Sequence, residues 1–185
     1  MILIAGLGNP GKEYYLTRHN AGFLLVDRLL DNLEIKDKKR KFKSKTAFTS
    51  FAEKTILFIQ PLTFMNESGS AVLQARKFYK DDIQKILIVH DDIDIEFGKI
   101  RFKKNGGNGG HKGLISISQL NSGIEFDRLR LGVGRPPGIK AAANYVLKNF
   151  TKTEQKELTV VFETAMEAIK DYAGFDMEYC MNKYN

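Results

Sequence analysis

The sequence predicts an α/β fold: a single domain over residues 1–185, built on a mixed, twisted β-sheet covered by helices on both faces. Three observations predict it. Apolar strand-like runs alternate with segments of helical period, the pattern of strands linked by crossover helices. Two runs near residues 47–61 follow each other without a helix between them, which adds one hairpin and makes the sheet mixed. A chain of 185 residues with 43% hydrophobic side chains can fill one ordinary core, whereas two would be cramped.

The elements follow in order. Residues 2–5 form a short apolar run that reads as a buried strand emptying into the loop GLGNPG. A helix should begin near Asn20, because Ala21, Leu24, Leu25, Leu29 and Leu33 share one helical face and the Asn20 side chain can cap the first free amides. That places His19 at a helix mouth. KDKKRKFKSK, residues 36–45, is a charge run expected to be a solvated loop, and it leads to paired strands AFTSFAE and TILFIQP around a tight turn at Lys54. SGSAVLQARKFY reads as a helix from Ser68, so Asn66 also precedes a helix N-terminus. KILIVHDD is a strand that delivers Asp91 at its carboxyl end; GKIRFKK is another strand, GGNGGHKG a wide loop, LISISQL a short helix and DRLRLGVG a further strand. In the last long helix, Thr151 and Glu154 form a capping box, and Leu158, Val161, Phe162, Ala165, Ile169 and Tyr172 make an apolar stripe read as core packing.

Composition narrows the partners. A net charge of +7 and a pI near 9.4 favour a polyanion such as nucleic acid. The single cysteine, Cys180, excludes an internal disulfide and a cysteine-based metal cluster and fits a reducing compartment. The apolar run at the N-terminus is too short for a membrane span and lacks a leader pattern, so a soluble, cytoplasmic protein is expected.

Gly6, Gly8 and Gly11 satisfy the dinucleotide-binding pattern G-x-G-x-x-G after a strand. In that fold the helix starts inside the motif and an acidic residue ends the second strand about 20 residues later. Here KEYYLTRHN intervenes, and the acid at that distance, Asp31, falls on the helix. A different set is more coherent. Asn9, His19, Asn66 and Asp91 all fall at the carboxyl end of a strand or at a helix entry, and in an open α/β sheet those ends converge on one crevice. One imidazole, one carboxylate and neutral amides, without an activated nucleophile, suit attack of water on an acyl group with histidine as base.

The stretches GLGNPG, EYYLTRHNAG, PLTFMNESG, VHDDID with GKIRFK, GGNGGHKGL and RLRLGVGRP, in this order from residue 3 to about residue 136, closely resemble the bacterial peptidyl-tRNA hydrolase family. The resemblance implies a monomeric, metal-free and cofactor-free esterase that cuts the ester between a peptide and the terminal ribose of peptidyl-tRNA. It implies His19 as general base and Asp91 as its partner, with Asn9, Tyr14, Asn66 and Lys112 at substrate-binding positions. It also implies Lys103 and Arg130 as a clamp on the tRNA 5′ phosphate, and Lys140 as a further RNA contact. One position departs: the family loop usually reads GGHNGL, and this chain has Lys112 in place of the asparagine. Of the other histidines, His90 is expected to be a satisfied core residue and His111 to shape the glycine loop. Three dispersed histidines offer no usable zinc-ligand spacing. The alternatives are an RNA-binding relative without hydrolytic activity and a dinucleotide enzyme.

Overall fold

The computed structural model describes residues 1–35, 37–120, 123, 125–136 and 142–185. Seven strands form one sheet: β1 Ile2–Gly6, β2 Lys39–Lys41, β3 Ser44–Phe51, β4 Lys54–Pro61, β5 Lys85–Asp92, β6 Ile100–Lys104 and β7 Asp127–Gly132. The helices are α1 Ala21–Asn32, α2 Ser68–Tyr79, α3 Lys112–Leu120, α4 Ala142–Val146, α5 Lys152–Gly174 and α6 Met177–Tyr184. Strand order is β2-β3-β4-β1-β5-β7-β6. The central pairs β4/β1, β1/β5 and β5/β7 are parallel, while β2/β3, β3/β4 and β6/β7 are antiparallel. The expected mixed sheet is therefore present, with a second antiparallel edge at β6.

Side-chain alternation divides the core into two layers. Ile2, Ile4, Ile56, Phe58, Leu87 and Val89 face α1, α5 and α6; Leu3, Ala5, Leu57, Ile59, Ile86 and Ile88 face α2 and α3. The central strands are apolar on both sides, as parallel strands under two helical layers must be. On β6 and β7 the alternation has another outcome. Ile100, Phe102, Leu129 and Leu131 join the α5 layer, which leaves Arg101, Lys103, Arg128 and Arg130 on the opposite face.

Several local expectations are corrected. The charge run is not simply a solvated loop: residues 39–41 form the edge strand β2, and a two-residue turn at Phe42 and Lys43 leads straight into β3. The β3/β4 turn lies at Ala52 and Glu53, both at positive φ, rather than at Lys54, which opens β4. Helix α3 starts two residues earlier than expected, at Lys112, because His111 caps it as described below. The capping box of α5 is formed as expected: Thr151 Oγ1 accepts from the Glu154 amide at 3.2 Å and Glu154 Oε2 from the Thr151 amide at 2.6 Å. Among the described residues no helix is long and apolar enough to cross a membrane.

Candidate active site

The site is built where β1 and β5 end. Leu7, just past β1, donates its amide to Val89 O of β5 at 2.9 Å, and its own carbonyl accepts from Phe23 N of α1 at 3.1 Å. Helix α1 crosses the sheet here at very close range. A Cβ on Gly22 would lie 2.4 Å from Val89 O, and one on Gly6 would lie 2.5 Å from Gly22 O, so neither position admits a side chain. With Leu7 O receiving an α1 amide, Asn20 does not cap the helix as the sequence suggests. Its Oδ1 instead accepts from Asn9 N at 2.8 Å and its Nδ2 donates to Asn9 O at 2.9 Å. This two-point clamp ties the glycine loop to the 3-10 turn Arg18–Asn20, and His19 stands in the middle of that turn.

His19 Nδ1 lies 2.9 and 3.1 Å from the two Asp91 carboxylate oxygens, and both side chains are buried. Asp91 has a second partner that the sequence did not reveal: His111 Nε2, 3.0 Å from Oδ1. The proton positions follow from chemistry. His111 Nδ1 accepts from the amides of Gly113 at 3.2 Å and Leu114 at 3.4 Å, closing the N-terminus of α3, so its hydrogen must be on Nε2 and is donated to Asp91. Burial alone would raise the Asp91 pKa. The two neighbouring imidazoles, His19 and His111, and the hydrogen bonds they give outweigh it and hold the carboxyl well below the ordinary range. An ionised carboxylate only accepts, so neutral His19 carries its hydrogen on Nδ1 and leaves Nε2 as a free base, with no partner among the described residues. Ligating atoms of His19, Asp91 and His111 also lie within 4.8 Å of one another. Folding thus gathers two histidines that sequence spacing would keep apart, but in this arrangement each contact to Asp91 is a hydrogen bond.

His90 is not fully satisfied, contrary to expectation. Its Nδ1 donates to Asp91 O at 2.7 Å, yet its buried Nε2 has no partner. The His111 ring is 4.9 Å away and has nothing to offer: one nitrogen accepts from α3 and the other gives its hydrogen to Asp91. Burial first, and then the neighbouring His111 ring, push the His90 pKa well below the ordinary histidine range. The unfolded chain therefore binds a proton near pH 6.5 that the folded chain refuses. Stability from this group is complete above about pH 6.5 and declines as pH falls below it. Replacing His90 by asparagine, which keeps a donor for Asp91 O, should flatten the loss of melting temperature between pH 6.5 and 5. Parallel curves for the two proteins would show that His90 does not govern acid sensitivity.

Arg18 fixes the turn from the other side. Its Nη2 makes two 2.8 Å bonds to Glu154, its Nη1 donates to Lys148 O and Asn149 O, and its guanidinium lies 4.4 Å from the centre of the Tyr145 ring. Glu154 is also the acid of the α5 capping box. One carboxylate thus joins the start of α5 to the residue preceding His19.

Asn9 Oδ1 accepts from Met65 N at 2.8 Å, which suspends the turn Met65–Glu67 from the glycine loop and leaves the Asn9 Nδ2 as an unused donor among the described residues. Asn66 is exposed on that turn. Tyr14 meets Phe64 edge to face at 6.4 Å, and Phe64, a residue the sequence reading passed over, is more than half exposed. Lys112 opens α3 beside His111 and is exposed. Lys103 and Arg130 share the bare face of β6/β7 with two cations also missed, Arg101 and Arg128. Strand register sets Arg101 opposite Arg130 and Lys103 opposite Arg128. Arg128 is buried and donates to the carbonyls of Gly106 and Gly107, anchoring the glycine loop. Arg130 pairs with Asp92 at 2.8 Å. Lys140 lies outside the described residues. Period-two alternation in IRFKK and DRLRLG was the signal that could have disclosed the four-cation face.

The family profile described as peptidyl-tRNA hydrolase matches residues 3–185. The peptidyl-tRNA hydrolase of Frankia casuarinae is 41% identical over 183 residues, covering 99% of this chain and 93% of that protein. The Rickettsia felis peptidyl-tRNA hydrolase is 45% identical over 179 residues, covering 96% and 92%. The crystal structure of the Acinetobacter baumannii peptidyl-tRNA hydrolase superposes with a TM-score of 0.88 at 36% identity, covering all of this chain and 94% of the other. With the profile spanning nearly every residue and the buried His19–Asp91 pair in place, the chain belongs to the peptidyl-tRNA hydrolase family.

Proposed function

We propose that this protein hydrolyses the ester joining a peptide, or an N-blocked amino acid, to the 3′ ribose of tRNA, and so frees tRNA from peptides released before completion. The observation that carries this reading is the buried His19–Asp91 pair with His19 Nε2 left unpartnered. His19 takes a proton from the water that attacks the ester carbonyl, a contribution of roughly 10²–10⁴ in rate. Asp91 keeps the imidazole in the productive tautomer and stabilises its cation, the part a carboxylate plays in serine-hydrolase triads. The leaving group is an alkoxide, easier to expel than an amide nitrogen, so a site without a second free base or acid suffices. Asn9 Nδ2 and Asn66 donate to the peptide backbone or the developing oxyanion. Tyr14 packs beside the peptide end.

The RNA half is held by cations. Like charges set directly opposite each other on a strand pair are unfavourable on their own. The face formed by Arg101, Lys103 and Arg130, with Arg128 buried under the glycine loop beside them, is therefore best explained as a receptor for phosphate, with Lys103 and Arg130 on the tRNA 5′ end and Lys140 beyond them. Lys112, standing where the family resemblance implies an asparagine, contacts the terminal phosphates. We further propose that the protein acts as a cytoplasmic monomer. The rival reading, an RNA-binding relative without catalysis, draws only on Lys112.

Acetyl-aminoacyl-tRNA and unblocked aminoacyl-tRNA offered side by side test the proposal. A free ammonium would enter a site of neutral amides uncompensated. The blocked ester should therefore be cleaved faster, on the order of 10²-fold. Equal rates would reject the specificity argument, and no release from either would favour the silent relative. The same assay on Lys112→Asn should move KM more than kcat.

A further inference from the structure

Two stretches far apart in sequence, KRKFK at 39–43 and RKFYK at 76–80, alternate cations with aromatic rings, and the fold lays one against the other. Phe42, in the β2/β3 turn, packs on Phe78 and Tyr79 at the end of α2, with ring centres 5.3 and 5.7 Å apart. Phe48 of β3 meets Tyr79 edge-on at 6.2 Å. The cluster is not closed off from water: Phe78 is 60% exposed and Phe48 47%. Lys41 Nζ stands 3.5 Å from the centre of the Phe78 ring. Segments 37–45 and 76–82 together carry nine Lys or Arg and three Asp, enough to account for most of the net charge of +7. Lys41, Lys43 and Lys77 make no ion pair among the described residues, whereas Arg40 and Lys45 point to the α1 face of the sheet.

The backbone is unusual at the same place. Phe42 and Lys43 both sit at positive φ, 54° and 51°, in a two-residue turn that normally selects Asn and Gly. A bulky residue there is strained on its own. Here the conformation sets the Phe42 ring on α2. The strand β2 is also a free sheet edge, the opposite one from β6. Six strand spacings of about 4.8 Å separate the two edges by roughly 29 Å, so this patch is distinct from the β6/β7 cations.

We propose that this edge is a second RNA-binding surface that takes an unpaired strand, with bases stacking on Phe78 and Phe48 and phosphates on Lys39, Lys41 and Lys43, the cations of β2 and its turn that lie on the α2 side. Exposed rings favour a single strand over a duplex, whose bases are already stacked. The basic side chains supply the sequence-independent attraction. Lys41, on its flexible stem, moves from the ring to a phosphate when a base arrives.

The test uses full-length protein with Arg101 and Lys103 both reversed to glutamate, so that the other cationic face no longer competes. Binding of a fluorescent single-stranded 12-nucleotide RNA is followed by anisotropy. That background should still bind, and further reversal of Lys41 and Lys43 to glutamate should weaken binding at least tenfold and lower the salt slope by about 1.4, two phosphates' worth. Phe78→Ala, at a largely exposed position, should weaken it about fivefold or more with the melting temperature kept. A background that binds no RNA, a Kd indifferent to these changes, or equal affinity for duplex RNA would overturn the proposal. So would binding to phosphatidylserine vesicles in place of RNA. Hydrolysis is not read in this experiment, so either outcome leaves the ester-cleavage reading standing.

Discussion

Replacing His19 by alanine should lower kcat on acetyl-aminoacyl-tRNA by roughly 10²–10⁴-fold, with KM little changed. The expectation rests on His19 Nε2, the free imidazole nitrogen of the site, whose tautomer is set by the hydrogen that Nδ1 gives to Asp91. The loss should be chemical rather than structural. Asp91 keeps its bond from His111, and the turn that bears residue 19 remains clamped by Asn20 and Arg18. Single-turnover hydrolysis with tRNA binding measured in parallel separates the two. A variant that retains more than about a tenth of the wild-type rate would place the base elsewhere.

Asp91→Asn should cost nearly as much, about 10³–10⁴-fold in kcat, the scale seen when the carboxylate of a serine-hydrolase triad becomes an amide. Oδ1 receives both His19 and His111 in the native site. The amide oxygen can keep accepting at that position, which puts the amide nitrogen where Oδ2 stood, 3.1 Å from His19 Nδ1. A donor then faces a donor, and the charge that steadied the imidazolium is gone. The alternative flip is no better, because the His111 hydrogen on Nε2 would meet the amide nitrogen. Since the substitution leaves the β6/β7 cations untouched, tRNA affinity should hold. A drop of less than tenfold in kcat would show that the carboxylate does not act through His19.

These residues were legible in sequence for different reasons. β1 and β5 are buried on both faces, so they read as unbroken apolar runs, and the loops at their carboxyl ends could be assigned to one crevice. Thr151, Glu154 and the stripe from Leu158 to Tyr172 disclosed α5. The strand β2 was hidden because its three residues, Lys-Arg-Lys, are all exposed, and only pairing with β3 makes it a strand. His111 was hidden because histidine is not among the usual capping residues, so the start of α3 and the second bond to Asp91 were missed together. Asn20 misled in the opposite way: it has the chemistry of a helix cap, but tertiary contact with Asn9 claims the side chain. The Arg101–Arg130 and Lys103–Arg128 pairs needed strand register, which no local pattern supplies.

The bond from Arg18 to Glu154 spans 136 positions of the chain. A ribosome making this protein must therefore emit the first turn of α5 before the reactive turn near the other terminus can be locked. In a copy still being synthesised, this tie beside His19 is therefore among the last to form, closing only when α5 docks.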